Sequence, residues 1–126
     1  MQRTAHLRGW RRWEAALLGL TLFSSAVHFV DNALRLDLYP GPTWFTRDVV
    51  LTAWVIVLAA ACLTYWVGTR KALVAYGLLG FAGFAHFFIR HQASLPLRCT
   101  ITIGAEAGAS ALLIAYALLR RDSERS

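Results

Sequence analysis

The side chains best suited to chemistry are two histidines and two carboxylates that lie within apolar stretches of the chain. They are His28, Asp31, His86 and Glu106. Imidazole and carboxylate groups bind divalent transition metals and carry protons, and an ionisable group inside an apolar segment is costly unless it has a partner or a task. These four residues therefore predict either a binding site or a set of buried ion pairs.

The composition of the chain indicates that these residues lie in a membrane. Of 126 residues, 57% are hydrophobic and 16% are charged, which is too apolar for a soluble domain of this length. The formal net charge of +6 comes from basic residues that flank apolar runs, whereas a nucleic-acid-binding face clusters them on a polar surface. We therefore expect an integral membrane protein whose partner is the lipid bilayer and not nucleic acid.

Four apolar runs approach the roughly 20 residues that a helix needs to cross a hydrocarbon core about 30 Å thick. They cover residues 13–34, 48–67, 72–89 and 100–119. The links between them are short, so neighbouring helices must be antiparallel. The sequence predicts a single all-α domain over residues 1–126, an integral membrane four-helix bundle of up-down-up-down topology.

The basic residues also predict the orientation of the chain. Most of them lie at the two termini and in the link between the second and third runs: Arg3, Arg8, Arg11, Arg12, Arg70, Lys71, Arg120, Arg121 and Arg125. Loops rich in lysine and arginine stay on the cytoplasmic side of a membrane. Both termini are therefore expected to be cytoplasmic, in a bacterial plasma membrane.

A polar stripe runs along the first helix. At 100° per residue, its members lie within about 60° of His28: Thr21, Ser24, Ser25, Asp31, Asn32 and Arg35, with Glu14 on the same side two heptads earlier. A charge at the centre of a bilayer costs about 2.5 to 3.5 kcal/mol on insertion scales, so a stripe of this length must face the interior of the bundle or a wet cavity.

The candidate residues on three helices lie at a similar depth. A rise of 1.5 Å per residue places His28, His86 and Glu106 roughly 6 to 11 Å below the outer boundary. We expect the binding residues to be His28, Asp31, Asn32, His86 and Glu106, close together, with Ser24, Ser25, Arg35 and Arg90 around them. The small side chains of Ala82, Gly83, Ala105 and Ala109 leave space between these groups.

Several functions are compatible with this layer. Histidines and carboxylates that face inward from different helices form metal sites and proton relays, so a divalent transition metal, a proton or a polar ligand could be bound by His28, Asp31, His86 and Glu106. A b-type haem between His28 and His86 would make the chain an electron carrier. Acid and base groups in an apolar cavity would equally suit a membrane enzyme that acts on a lipid or sterol.

A structural interpretation competes with these functions. Asp31 could pair with Arg35 one helical turn later, and Glu106 could pair with His86 or Arg90. Such buried pairs hold helices in register in some proteins. The chain would then be a structural or accessory subunit of a membrane complex.

The end of the first helix and the link after it resemble a known family. His28 and Asp31 close the helix, and Tyr39-Pro40 and Pro42-Thr43-Trp44-Phe45 precede the second helix. This arrangement is similar to the EXPERA-domain family of sterol isomerases and their receptor relatives. The resemblance implies a four-helix membrane fold and a lipid or sterol as the substrate, and no catalytic role is transferred to a particular residue.

The fourth helix carries a possible association surface. Gly104 and Gly108 form a small-xxx-small pair, which lets two helices pack closely in lipid. Because Glu106 lies about 160° to 200° away on the helix, an inward Glu106 turns the glycines outward. The sequence predicts a homodimer or a contact with a partner subunit through this face. The alternative is that a neighbouring helix of the same bundle covers it.

Overall fold

The computed structural model describes residues 2–38, 42–84 and 96–120, with the side chains of residues 2–10 left outside the description. The described part forms four α-helices: α1, Gln2–Leu34; α2, Arg47–Val67; α3, Arg70–Leu79; and α4, Leu97–Leu119. Two short 3-10 turns cover Leu36–Leu38 and Ala82–Phe84. The all-α prediction is confirmed, and the described residues contain no β-strand.

The ends of α2 are set by local chemistry. The Thr46 side chain accepts a hydrogen bond from the Val49 amide at 3.3 Å, which satisfies one of the free N–H groups of the first turn. At the other end Gly68 adopts φ +62°, a left-handed conformation that favours glycine, and its amide donates to the Thr64 carbonyl. Thr69 then caps α3 through the Ala72 amide, so the chain reverses within two residues.

The third apolar run is not a single helix in the part that the structure describes. The sequence predicts a span over 72–89, but α3 ends at Leu79, and a 3-10 turn follows at Ala82–Phe84. Gly80 and Gly83 lie where the helix is interrupted, and glycine has low helix propensity. Hydropathy measures how apolar a segment is and does not register such a break. Residues 85–89 lie outside the described residues.

Within the described residues, three helices are long and apolar enough to cross a membrane. They are the segments Arg11–Leu34 of α1, Arg47–Val67 and Leu97–Leu119. The ten residues of α3 extend only about 15 Å, compared with about 30 Å of hydrocarbon. Large apolar side chains cover the outside, such as Phe23 and Trp66, which are 68% and 79% exposed. These features indicate a membrane protein.

The helices are arranged so that each contacts two others. α1 packs against α2 and α4, and α3 packs against α4 and, less extensively, against α2. An apolar cluster joins all four near the middle: Leu18, Ala61, Leu73, Tyr76, Leu113 and Ala117. Two layers of buried polar residues lie on either side of this cluster along α1, around Glu14 and around His28.

Candidate functional site

The centre of the candidate site is a buried contact between α1 and α4. His28 Nδ1 lies 3.1 Å from Glu106 Oε2, and the two residues are 3% and 5% exposed. The structure therefore brings together two of the four residues that the sequence selected. Their role in binding stays a prediction.

The buried face of α1 is narrower than the predicted stripe. Thr21, Ser25, His28 and Asn32 are buried, and their spacing of four, three and four residues keeps them on one side of the helix. Thr21 donates its hydroxyl hydrogen to the Leu17 carbonyl at 2.9 Å, so the helix itself satisfies that group. Ser24 is only half-buried.

Asp31 forms an ion pair along its own helix. Its carboxylate lies 3.1 Å from Arg35 Nε, one turn further along α1, where the Arg35 side chain is 40% exposed. This is the pair that the structural interpretation expected, and neither residue lines the cavity described below.

The predicted metal ligands are not assembled within the part of the chain that the structure describes. These residues contain no group of three or more histidine, cysteine, aspartate or glutamate side chains that could hold a metal ion. His86 and Arg90 lie outside the described residues, so the places of the fourth ligand and of its arginine neighbour stay predictions. Among the described groups, His28 and Glu106 offer two ligands.

A cavity of about 390 Å³ adjoins the His28–Glu106 pair. Most of its wall is apolar and comes largely from α2, through Val49, Val50, Ala53, Ile56 and Val57. Its polar residues come from three helices: Thr21, Ser25, His28, Asn32, Tyr76 and Glu106. This combination of a mainly apolar wall with a few grouped polar side chains is typical of a site for a small molecule.

Gly83 brings main chain directly against the pair. A Cβ atom at this position would lie 3.1 Å from His28 Cε1 and 3.6 Å from Glu106 Oε2. The 3-10 turn therefore packs so close to the pair that a residue larger than glycine at position 83 would require the imidazole to move.

Sequence reasoning missed Tyr76, which lines the cavity and is 4% exposed. Its hydroxyl and the Ser25 hydroxyl have no hydrogen-bond partner among the described residues. Tyr76 lies in an apolar run where tyrosine is unremarkable by composition. The rotation of α3 against α4 decides that it faces inward, and no pattern in the sequence specifies that rotation.

A second buried contact was also missed. Arg120, at the end of α4, pairs with the Glu14 carboxylate and donates to the Gly68 carbonyl at 3.0 Å. Glu14 is 2% exposed. The place of Glu14 on the His28 side of α1 is the available signal, but the sequence pattern places Arg120 among the basic residues that flank the apolar runs. The contact ties the end of α4 to α1 and to the link between α2 and α3.

No family model, curated protein or solved structure matches this chain. The resemblance of the first link to the EXPERA-domain family is thus not accompanied by a match to a family model.

Proposed function

We propose that this protein is an integral membrane protein that binds a small, largely apolar molecule in the cavity, with the polar group of that molecule against His28 and Glu106. One observation carries the proposal: a buried ionisable pair forms part of the wall of a cavity that is otherwise mainly apolar. The volume of about 390 Å³ falls within the roughly 300 to 1,000 Å³ of small-molecule sites.

The energetics of buried pairs favour a functional role over a structural one. Replacing a buried ion pair by apolar residues of similar volume is often neutral or stabilising, so such a pair is not required to hold two helices together. A pair kept only for packing would also gain from close contact on all sides, because empty space forfeits dispersion energy. The His28–Glu106 pair instead borders open volume.

The same geometry supports acid–base chemistry as a second candidate. Glu106 lines the cavity while one of its oxygens contacts His28, so a proton held between the two groups could pass to or from a bound molecule. A membrane enzyme acting on a lipid or sterol would use the pair in this way.

Metal or haem binding depends on residues beyond the described pair. Both alternatives need His86 beside His28, as a further ligand of a divalent transition metal or as the second axial ligand of a b-type haem. Metal analysis and the visible spectrum of the purified protein separate them. A colourless, metal-free protein would leave the small-molecule site or a structural role.

We also propose that the third apolar run, residues 72–89, crosses the membrane together with the three long helices, so that four segments span it in an up-down-up-down bundle with both termini cytoplasmic in a bacterial plasma membrane. The contacts of Arg120 support this arrangement, because they bring the end of α4, the start of the α1 span and the α2–α3 link to the same end of the molecule. The basic residues of these three segments then lie on one side, as a cytoplasmic face requires.

A cavity-filling variant tests the binding proposal. Ala53 lines the cavity, so Ala53→Phe should fill it, whereas Ala59→Phe makes the same change at an exposed site of α2. The probe is 2-decanone, and binding is measured as its stabilisation of the detergent-purified protein against heat. At about 100 times its Kd, a ligand stabilises the folded state by about 2.7 kcal/mol.

We expect saturable stabilisation in the wild type and in Ala59→Phe, and its loss in Ala53→Phe. Equal responses of the two variants would sink the proposal, and so would a wild type that shows no saturable response to 2-decanone, decane, decanoate or decylammonium.

A further inference from the structure

Two hydroxyl groups of the cavity wall are buried without a hydrogen-bond partner among the described residues. They belong to Ser25 on α1 and Tyr76 on α3, which are 1% and 4% exposed. A buried hydroxyl that makes no hydrogen bond is costly, so such groups are usually satisfied by water or by a ligand. Their presence in the wall of one cavity indicates a hydrogen-bonding partner within it.

The two hydroxyls differ in what else could satisfy them. A serine in a helix can donate to the carbonyl four residues earlier, as Thr21 does to Leu17. Tyrosine has no such local acceptor, because its hydroxyl lies at the far end of a rigid ring. Tyr76 therefore depends more on a ligand than Ser25 does.

The charges in the wall favour an uncharged ligand. Among the described residues that line the cavity, only His28 and Glu106 belong to the types that are charged near neutral pH. Because a net charge beside apolar walls is costly, the pair should hold one proton, and its combined charge is then zero whether that proton lies on the imidazole or on the carboxyl group. A charged ligand would lie unneutralised beside apolar walls, which costs far more than the burial of a neutral polar group.

Resting on the proposed function, we infer that the ligand is an uncharged amphiphile with a carbonyl group, and that Tyr76 is the residue that selects it. The carbonyl oxygen accepts a hydrogen bond from Tyr76 and a second from Ser25. One carbonyl can do both, because its oxygen has two lone pairs. The apolar remainder of the ligand lies along α2, where the wall consists of Val49, Val50, Ala53, Ile56 and Val57.

Removal of one oxygen atom tests the inference. Tyr76→Phe is compared with the wild type and with Tyr65→Phe, which makes the same change at an exposed tyrosine outside the cavity. The full chain in detergent is titrated with 2-decanone, decane, decanoate and decylammonium, and each Kd is taken from thermal stabilisation.

In Tyr76→Phe the Kd for 2-decanone should rise about tenfold, the equivalent of one hydrogen bond. The Kd for decane should not change, and Tyr65→Phe should leave both values as they are. The ligand-free Tyr76→Phe variant should unfold at or above the wild-type temperature, because it lacks the unpaired hydroxyl. This readout separates a lost contact from a damaged fold.

Three results would overturn the inference while leaving the binding proposal intact. They are an unchanged Kd for 2-decanone in Tyr76→Phe, an equal loss for decane, and tighter wild-type binding of decanoate or decylammonium than of 2-decanone. If the wild type binds none of the four probes, or if Ala53→Phe binds them as the wild type does, the proposed function fails and the inference fails with it.

Discussion

Replacement of Gly80 by alanine adds one methyl group at the point where the end of α3 meets α4. The new Cβ atom would lie 1.8 Å from Ser110 Oγ and 2.9 Å from Ser110 Cβ. Rotation of the serine side chain removes the first overlap but not the second, because the backbone fixes the Cβ atom. Carbon atoms pack best at about 3.5 to 4.0 Å, so α3 and α4 must separate by at least about 0.6 Å.

We expect Gly80→Ala to lower the free energy of unfolding by about 2 kcal/mol, within the roughly 1 to 3 kcal/mol that overpacking costs. The double variant Gly80→Ala/Ser110→Gly removes both overlaps and should recover most of this loss. The measurement is reversible unfolding in mixed detergent micelles, followed by tryptophan fluorescence. Gly104→Ala is the matched control, since a Cβ atom there has no neighbour within 4 Å.

The reasoning is refuted if Gly80→Ala is as stable as Gly104→Ala. It is also refuted if the loss persists in the double variant, because the coupling energy between two residues in contact should be about 0.5 to 3 kcal/mol.

Two further predictions concern association and topology. A Cβ atom at Gly104 or Gly108 meets nothing within 4 Å, so Gly108→Leu should leave the monomer folded, and light scattering in detergent should show dissociation if this face forms the predicted homodimer. Ala59→Leu, at an exposed site of α2, is the control, and an unchanged oligomer in Gly108→Leu contradicts the prediction. Alkaline phosphatase fused after residue 126 should be inactive in the cytoplasm, whereas a fusion in the link at 42–46 should be active. Activity from the first fusion would show that the carboxyl terminus is outside.

The sequence predicted α2 closely because two independent signals coincide there. The apolar run over 48–67 and the observed helix Arg47–Val67 agree. Thr46 caps the start of the helix and Gly68 its end, close to the two ends of the apolar run. In the third apolar run, residues 72–89, the signals from hydropathy and from helix-ending residues do not coincide. Its apolar character continues past Gly80 and Gly83, but the helix does not, because the backbone is interrupted where it packs against Ser110 and against the His28–Glu106 pair.

The sequence predicts the features of the site that follow from the depth of a residue along its helix. It does not predict those that follow from the rotation of a helix about its own axis. A fixed rise per residue placed His28 and Glu106 in one layer, and the structure brings them into contact. Asp31 lies at the edge of the same helical face, and it pairs with Arg35 one turn later. The packing of α3 on α4 places Tyr76 in the cavity wall. The sequence does not predict this position, because helix rotation follows from side-chain fit and not from composition.

The buried partners of α1 have a consequence for the order in which the chain is made. Arg120 follows Glu14 by 106 residues, and Glu106 is likewise contributed by α4. At about 5 to 20 residues per second, the ribosome needs roughly 5 to 20 s to supply that arginine. During this interval α1 has two ionisable side chains without their final contacts, which makes its burial in the bilayer more costly. The synthesis of α4 thus supplies the partners that lower this cost for α1.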